Sequence, residues 1–284
     1  MILKKIKLVK KIIIFILSKF DYRHSHLPGL SLIEYYRLKH HKTLKAGETK
    51  FFKRKFKFSD NNGFLHSLDE IYKQEIYKFH SINNTPYIID CGANIGVSVF
   101  YFKRLYPTSK IVAFEPDNDI YKILESNIKT SFNDGSVKLR KEAVWIKNEE
   151  LTFFSDGSLA GSTVVDFSSN NKRQKVQAVD LNKYLNQEVD FLKIDIEGAE
   201  NELIFHISEN LKNVKNLFLE YHGLLNQSQN LGDILNLISS VGFEYYIRVA
   251  GETIQFPFCE EQPKVFNQQL NILCYRKTGL NSSK

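Results

Sequence analysis

The residues of this chain whose types and spacing could do chemistry fall in three places: YIIDCGANIG at 87–96, IVAFEP at 111–116, and VDFLKIDIEGAE at 189–200 with FLEYH at 218–222. The first is an apolar run ending in Asp90, followed at once by Gly92, Asn94 and Gly96. A dinucleotide turn requires glycine at its first, third and sixth positions. Counting from Gly92, those positions hold Gly92, Asn94 and Val97, so the fingerprint fails. Asp90 beside the turn would also repel a pyrophosphate. The same carboxylate suits a ligand that carries positive charge and no phosphate. S-adenosylmethionine has an ammonium and a sulfonium, and its carboxylate can take backbone donors at the start of the helix that follows. Glycines at 92 and 96 let the backbone approach such a ligand, with Asn94 in the same turn.

Glu115 lies 25 residues past Asp90, at the end of the next apolar run. An acid there can accept both hydroxyls of an adenosine ribose. The cofactor-binding set is therefore Asp90, Gly92, Asn94, Gly96, Glu115 and Asp195. Methyl transfer from a sulfonium is an in-line displacement in which the acceptor gives up a proton. The catalytic candidates are Asp195 in KIDIEGAE and Glu220 and His222 in FLEYH. An ordinary histidine titrates near pH 6.5, which suits His222 as the base. Glu197 and Glu200 have the plainer reading of capping the next helix, and His222 that of a structural loop histidine. Asp195 and Glu220, with His222, could also converge on Mg²⁺, which would bind two hydroxyls of an acceptor and acidify one.

Positioning these residues requires alternating strands and helices. YIIDC, KIVAFE, VKLRKEAVW, VDFLKIDI and NLFLEYH are compact apolar runs with helical stretches between most of them, which predicts a parallel sheet covered on both faces. FEYYIRV and NQQLNILCYRK are separated by a Pro-containing loop without helical character and predict an antiparallel pair. Before this core, FFKRKFKFSD predicts a strand, NNG a turn and LDEIYKQEIYKF a short amphipathic helix, in an appendage of about 80 residues covering one edge of the core.

Net charge is +7, unevenly placed. Residues 1–58 hold 16 Lys or Arg and 3 acids, which leaves 23 and 29 for the rest, so +13 precedes −6. Ile2, Ile6, Val9, Ile13, Ile16, Leu17 and Phe20 fall on one helical stripe with lysines around it. This predicts a helix lying on an anionic membrane surface, or one packed on the body. No apolar run here is long enough to span a bilayer, and no small-residue cleavage site follows. Cys91, Cys259 and Cys274 form neither a disulfide framework nor a zinc spacing, which points to the cytoplasm, with peripheral attachment at the inner membrane face through residues 1–20. His24, His26, His40 and His41 read as solvated surface.

IIDCGANIG, IVAFEPD, AVW and above all VDFLKIDIEGAE resemble the FkbM family of S-adenosylmethionine-dependent methyltransferases, over about 86–277. The resemblance implies a class I methyltransferase fold, α/β and Rossmann-like, with a seven-stranded, mostly parallel sheet and a C-terminal antiparallel strand. With the basic appendage at 1–80 outside these motifs, the chain is expected to hold the cofactor-binding domain at 81–277 and a tail at 278–284. The resemblance also implies methyl transfer to a hydroxyl oxygen; the acceptor does not follow from the family, and the expectation is a sugar hydroxyl of a surface polysaccharide, glycolipid or related metabolite. Two other functions compete: an NAD(P)-dependent oxidoreductase or epimerase, which the missing glycine opposes, and a non-catalytic glycan- or lipid-binding adaptor that retains the fold. No nucleic-acid partner is expected, since no aromatic base pocket follows the fourth strand and IEGAE is acidic.

Overall fold

The computed structural model describes residues 27–42, 45–155, 161–162, 173–225, 227–251, 254–259 and 266–277. The stripe at 1–20 and the tail at 278–284 lie outside the described residues. The chain divides into two compact units, Met1–Ile76 and Tyr77–Lys284.

In the first unit, α1 (Leu32–Lys39) precedes a hairpin of β1 (Gly47–Phe51) and β2 (Arg54–Phe58), and α2 (Asn61–Leu68) follows. Phe52 and Lys53 both take positive φ, the geometry of a tight two-residue hairpin turn. Thus FFKRKFKFSD is a turn and a strand rather than one strand. Alternation along β2 sends Phe56 and Phe58 inward against Phe51 and Phe64. NNG, predicted as a turn, is the start of α2: the Asp60 carboxylate accepts the Gly63 N–H at 2.8 Å, and buried Asn61 donates to Leu38 O. The helix predicted over 68–79 is replaced by one π-helical turn at Asp69–Lys73, closed by the Gln74 N–H to Asp69 O bond.

The second unit carries the sheet that positions the chemistry. Its strands are β3 (Tyr87–Cys91), β4 (Lys110–Phe114), β5 (Val137–Arg140), β10 (Phe191–Ile194), β11 (Asn216–Leu224), β12 (Glu244–Val249) and β13 (Phe266–Tyr275). Their spatial order is β12-β13-β11-β10-β3-β4-β5. β5, β4, β3, β10 and β11 pair in parallel, and β13 runs antiparallel between β11 and β12. Helices α3 (Val97–Leu105), α4 (Asn118–Lys129), α5 (Glu200–His206) and α6 (Leu231–Ser240) connect them. The predicted α/β fold, mostly parallel and seven-stranded with a C-terminal antiparallel strand, is the observed one. Parallel strands bury both faces, which is why YIIDC and FLKI are apolar apart from Asp90 and Lys193, which face each other. Ile89, Leu192, Ile194, Leu217 and Leu219 form the centre of the core with Leu203, Ile207 and Ile238.

VKLRKEAVW is two strands in two sheets. β5 ends at Arg140, and β6 (Ala143–Trp145) pairs with β9 (Arg173–Asp180) in a second sheet of order β6-β9-β7-β8, with β7 at Glu149–Ser155 and β8 at Gly161–Ser162. Lys141 and Glu142 mark the break. Among the described residues, no helix is long and apolar enough to cross a membrane.

Candidate active site

The turn after β3 is built by glycine geometry. Gly92 has φ +84°, and a Cβ there would lie 2.0 Å from the backbone oxygen of Asp195, so no side chain fits. Gly96, at φ +94°, is the N-cap of α3 without a side-chain cap, and a Cβ on it would meet Leu124 at 2.8 Å. The N–H groups of Gly92 and Ala93 donate to Phe114 O, and the side chain of Asn127 donates to Ile95 O. These bonds seat the turn on β4 and α4. Asn94, at positive φ, accepts the Ile95 N–H with its own side chain.

Glu115 faces this turn from the end of β4. Its Oε2 accepts the Asn94 N–H at 3.0 Å and its Oε1 the Asp117 N–H at 2.9 Å. Burial pushes its carboxyl up to about 8, and the two N–H donors pull against that shift. Each carboxylate oxygen keeps a lone pair for a ligand hydroxyl.

Asp90 is fully buried beneath the turn. Its Oδ2 accepts from Ser98 Oγ at 2.5 Å, and Lys193 Nζ lies 3.5 Å from Oδ1. Sequence reasoning missed Lys193. It sits directly across from Asp90 in the β3–β10 register, so the two side chains share one face. Its ammonium also donates to Gly92 O at 2.9 Å and to Asp195 Oδ2 at 3.1 Å. Burial opposes its charge, but Asp195, Tyr77 and Asp90 outweigh burial and hold it protonated well above the ordinary lysine range. The cation that Asp90 meets in this structure is thus the chain's own lysine. Asp90 Oδ1 is a buried oxygen with no hydrogen bond among the described residues. Burial raises the Asp90 carboxyl against the pull of Lys193 and Ser98.

Asp195, just past β10, and Glu220 and His222, within β11, come together, with one ligating atom of each within 4.8 Å of the others. Asp195 and Glu220 are half-buried, with side chains 25% and 15% exposed, whereas His222 is fully buried behind them. His222 Nδ1 lies 2.9 Å from Glu200 Oε1, which also accepts the His222 backbone N–H. The other oxygen of Glu200 accepts the Gly198 N–H. Glu200 therefore closes its own loop and orients the histidine as well. His222 Nε2 lies 3.3 Å from Glu197 Oε2 and 3.8 Å from Glu220 Oε1. Burial would lower the imidazole, but Glu200, Glu197 and Glu220 override it and lift it to about 10. The ordinary histidine value is thus displaced, and these carboxylates hold the ring protonated. Glu220 is pushed up to about 8 by burial and by Asp195, with His222 and Gln269 pulling the other way. Gln269 Nε2 donates to Glu220 Oε1 at 2.7 Å.

Tyr77 was also missed, because its segment read as part of the appendage. Its buried ring packs edge-on to Phe218 and stacks on Phe102, and its phenol lies in the electrostatic field of Lys193, Asp195, Glu220 and Asp90.

This arrangement has a nucleoside-sized set of acceptors and close-approach glycines at one strand end, with proton acceptors at the next two. The glycines a Cβ would displace, the two oxygens of Glu115 and the uncapped start of α3 fit the cofactor predicted from the sequence.

The chain is similar to known methyltransferases. Methyltransferase sdnD of Sordaria araneosa is 29% identical, over 49% of this chain and 67% of its own length. Methyltransferase 1 of Beauveria bassiana (strain ARSEF 2860) is 25% identical, over 50% of this chain and 65% of its own. The crystal structure of methyltransferase FkbM from Methylobacillus flagellatus KT superposes with a TM-score of 0.46 at 16% identity, covering 68% of this chain and 45% of that one. M. jannaschii TYW2 in complex with AdoMet gives a TM-score of 0.44 at 12% identity, covering 84% of this chain and 89% of that one. The chain thus spans about two thirds of these curated relatives and under half of the solved FkbM methyltransferase. Residues 90–245, more than half of the chain, match the methyltransferase FkbM domain, and the chain belongs to that family of methyltransferases.

Proposed function

We propose that this methyltransferase uses S-adenosylmethionine to methylate a hydroxyl oxygen of a sugar, in a surface polysaccharide, a glycolipid or a related metabolite. The observation that carries the reading is the pair of half-buried carboxylates, Asp195 just past the end of β10 and Glu220 in β11 one residue beyond its pairing with β10, beside the β3 turn. A hydroxyl is a poor nucleophile until its proton has an acceptor, and adjacent sugar hydroxyls match a pair of carboxylates. When bound, the cofactor supplies an electrophilic methyl group on a sulfonium.

The chain's own residues do the rest. Glu115 accepts the ribose hydroxyls, and Gly92, Asn94 and Gly96 shape the turn around the ligand. Lys193, fixed by Asp90, ties that turn to Asp195. Glu220 accepts the hydroxyl proton, and Asp195 orients the acceptor. His222, first read as the base, sits one layer back, where Glu200 pins it; its charge keeps Glu197 and Glu220 together. Half-buried Phe266, whose ring centroid lies 4.6 Å from that of His222, offers an apolar face against a sugar ring.

The test is kinetic. Glu220→Gln should lower kcat by about 10² to 10⁴, the usual loss with a general base, while calorimetric affinity for S-adenosylhomocysteine stays within about threefold. A Glu220→Gln enzyme with wild-type kcat on a sugar acceptor would remove Glu220 from the proton's path.

A further inference from the structure

We infer that Asp195, Glu220 and His222, with Asn271 beside them, form a binding site for a divalent cation of the Mn²⁺ or Mg²⁺ class. Four observations on different elements lead there. First, the donor atoms of the three residues lie within 4.8 Å of one another. Ligands about 2.1 Å from an octahedral ion are themselves roughly 3 to 4.2 Å apart, so small rotations of two half-buried carboxylates close the set. Lys193 engages Oδ2 of Asp195, and the carboxylate has a second oxygen.

Second, His222 is prepared as a ligand. Glu200 accepts at Nδ1, so when a cation displaces the Nε2 proton of the imidazolium to solvent, the ring keeps its Nδ1–H and presents Nε2 toward Glu197 and Glu220. A ligating imidazole characteristically donates its other N–H to a carboxylate in this way. Gln269 Nε2, now 3.3 Å from His222 Nε2, retains its 2.7 Å bond to Glu220 when a cation takes the imidazole.

Third, Asn271 supplies an oxygen that nothing else uses. It stands directly across from Glu220 in the β11–β13 register, so both side chains project from the same face. The residue is 3% exposed, and its Oδ1 has no hydrogen-bond partner among the described residues. A buried amide oxygen without a partner is unfavourable, and a cation beside Glu220 would satisfy it.

Fourth, carboxylates crowd one imidazole. Glu197, Glu200 and Glu220 each place an oxygen within 3.8 Å of a His222 ring nitrogen, and Asp195, whose Oδ2 is shared with Lys193, completes the acidic set. Two carboxylates, an amide oxygen and one imidazole suit Mn²⁺ better than Mg²⁺, which prefers oxygen throughout. The site stands on this geometry alone. That the cation would meet the acceptor hydroxyl rests on the O-methyltransferase reading.

The experiment titrates the full chain with MnCl₂, following loss of the free Mn²⁺ signal by electron paramagnetic resonance. It is done without acceptor, and S-adenosylhomocysteine affinity is measured separately, so failure of the cation site and failure of the cofactor reading are distinguishable. One Mn²⁺ should bind per chain, Mg²⁺ should compete, and Asp195→Asn, Glu220→Gln and Asn271→Leu should weaken binding by at least tenfold, tenfold and threefold. Should any variant lose its circular-dichroism melt, the wild-type protein decides: electron spin-echo modulation should show one ¹⁴N coupled to bound Mn²⁺. No saturable binding of Mn²⁺ or Mg²⁺ at millimolar concentration would overturn the inference, as would bound Mn²⁺ without nitrogen coupling.

Discussion

Glu115 gives the account a quantitative handle. Its carboxyl is buried, titrates at about 8 and is held by two backbone donors. Only the ionised form can accept both hydroxyls of a ribose, so a bound nucleoside must first meet the free energy of deprotonation. With a pKa of about 8, roughly 3% of the free protein is ionised at pH 6.5 and roughly three quarters at pH 8.5. Affinity for a nucleoside should therefore rise about 25-fold between those pH values and level off above. The ligand for this assay is 5′-methylthioadenosine, which has no group titrating in that range, measured by calorimetry against pH. Glu115→Gln should flatten the profile and weaken binding at pH 8.5 by at least tenfold, since a hydrogen bond to a charged group is worth about 1.5 to 3 kcal/mol. Affinity independent of pH from 6.5 to 8.5, or a Glu115→Gln protein that binds as the wild type does, would refute the assignment.

The same carboxyl affects stability. Because its pKa is raised on folding, the native state holds the proton more tightly than the unfolded chain, and stability falls as pH rises from about 4.5 to about 8. Glu115→Gln without ligand should thus melt higher than wild type at pH 8.5, with the gap closing toward pH 4.5 in differential scanning calorimetry. Gly92→Ala places a Cβ 2.0 Å from Asp195 O at positive φ, and should lose more than about 2 kcal/mol in urea unfolding together with detectable cofactor binding. Lys193→Met strands Asp90 without its cation and should cost about 3 to 5 kcal/mol in the same assay, with Asp90→Asn in the same chain recovering part of the loss. Deleting residues 1–20 should abolish co-sedimentation with anionic vesicles while turnover on a soluble acceptor continues.

The parts of the site that are contiguous in the chain were legible in the sequence. DCGANIG and KIDIEGAE encode their turns locally, because Gly92 and Gly96 adopt conformations other residues resist, and the apolar runs before them are buried on both faces. What register assembles was not legible. Lys193 meets Asp90, and Asn271 meets Glu220, only through strand pairing between distant segments. Glu200 read as a helix cap, and it does close its loop on Gly198, but its hold on His222 depends on where β11 runs. For the same reason the ordinary histidine value failed to describe His222: three carboxylates, from a loop, the start of α5 and β11, surround it, and no local pattern announces them. The second sheet was missed although EELTFFS and RQKVQAVD alternate, because VKLRKEAVW was taken as a single strand.

The most direct test of the central claim is the chemical position of the transferred methyl group. The full chain is incubated with ¹³C-methyl S-adenosylmethionine and the glycans and glycolipids of its source, and the product is read by two-dimensional ¹H–¹³C NMR. The account predicts a single methoxy signal on a sugar carbon, absent with Glu220→Gln. Label found on nitrogen or carbon, or a methoxy signal of equal rate with Glu220→Gln, would contradict it.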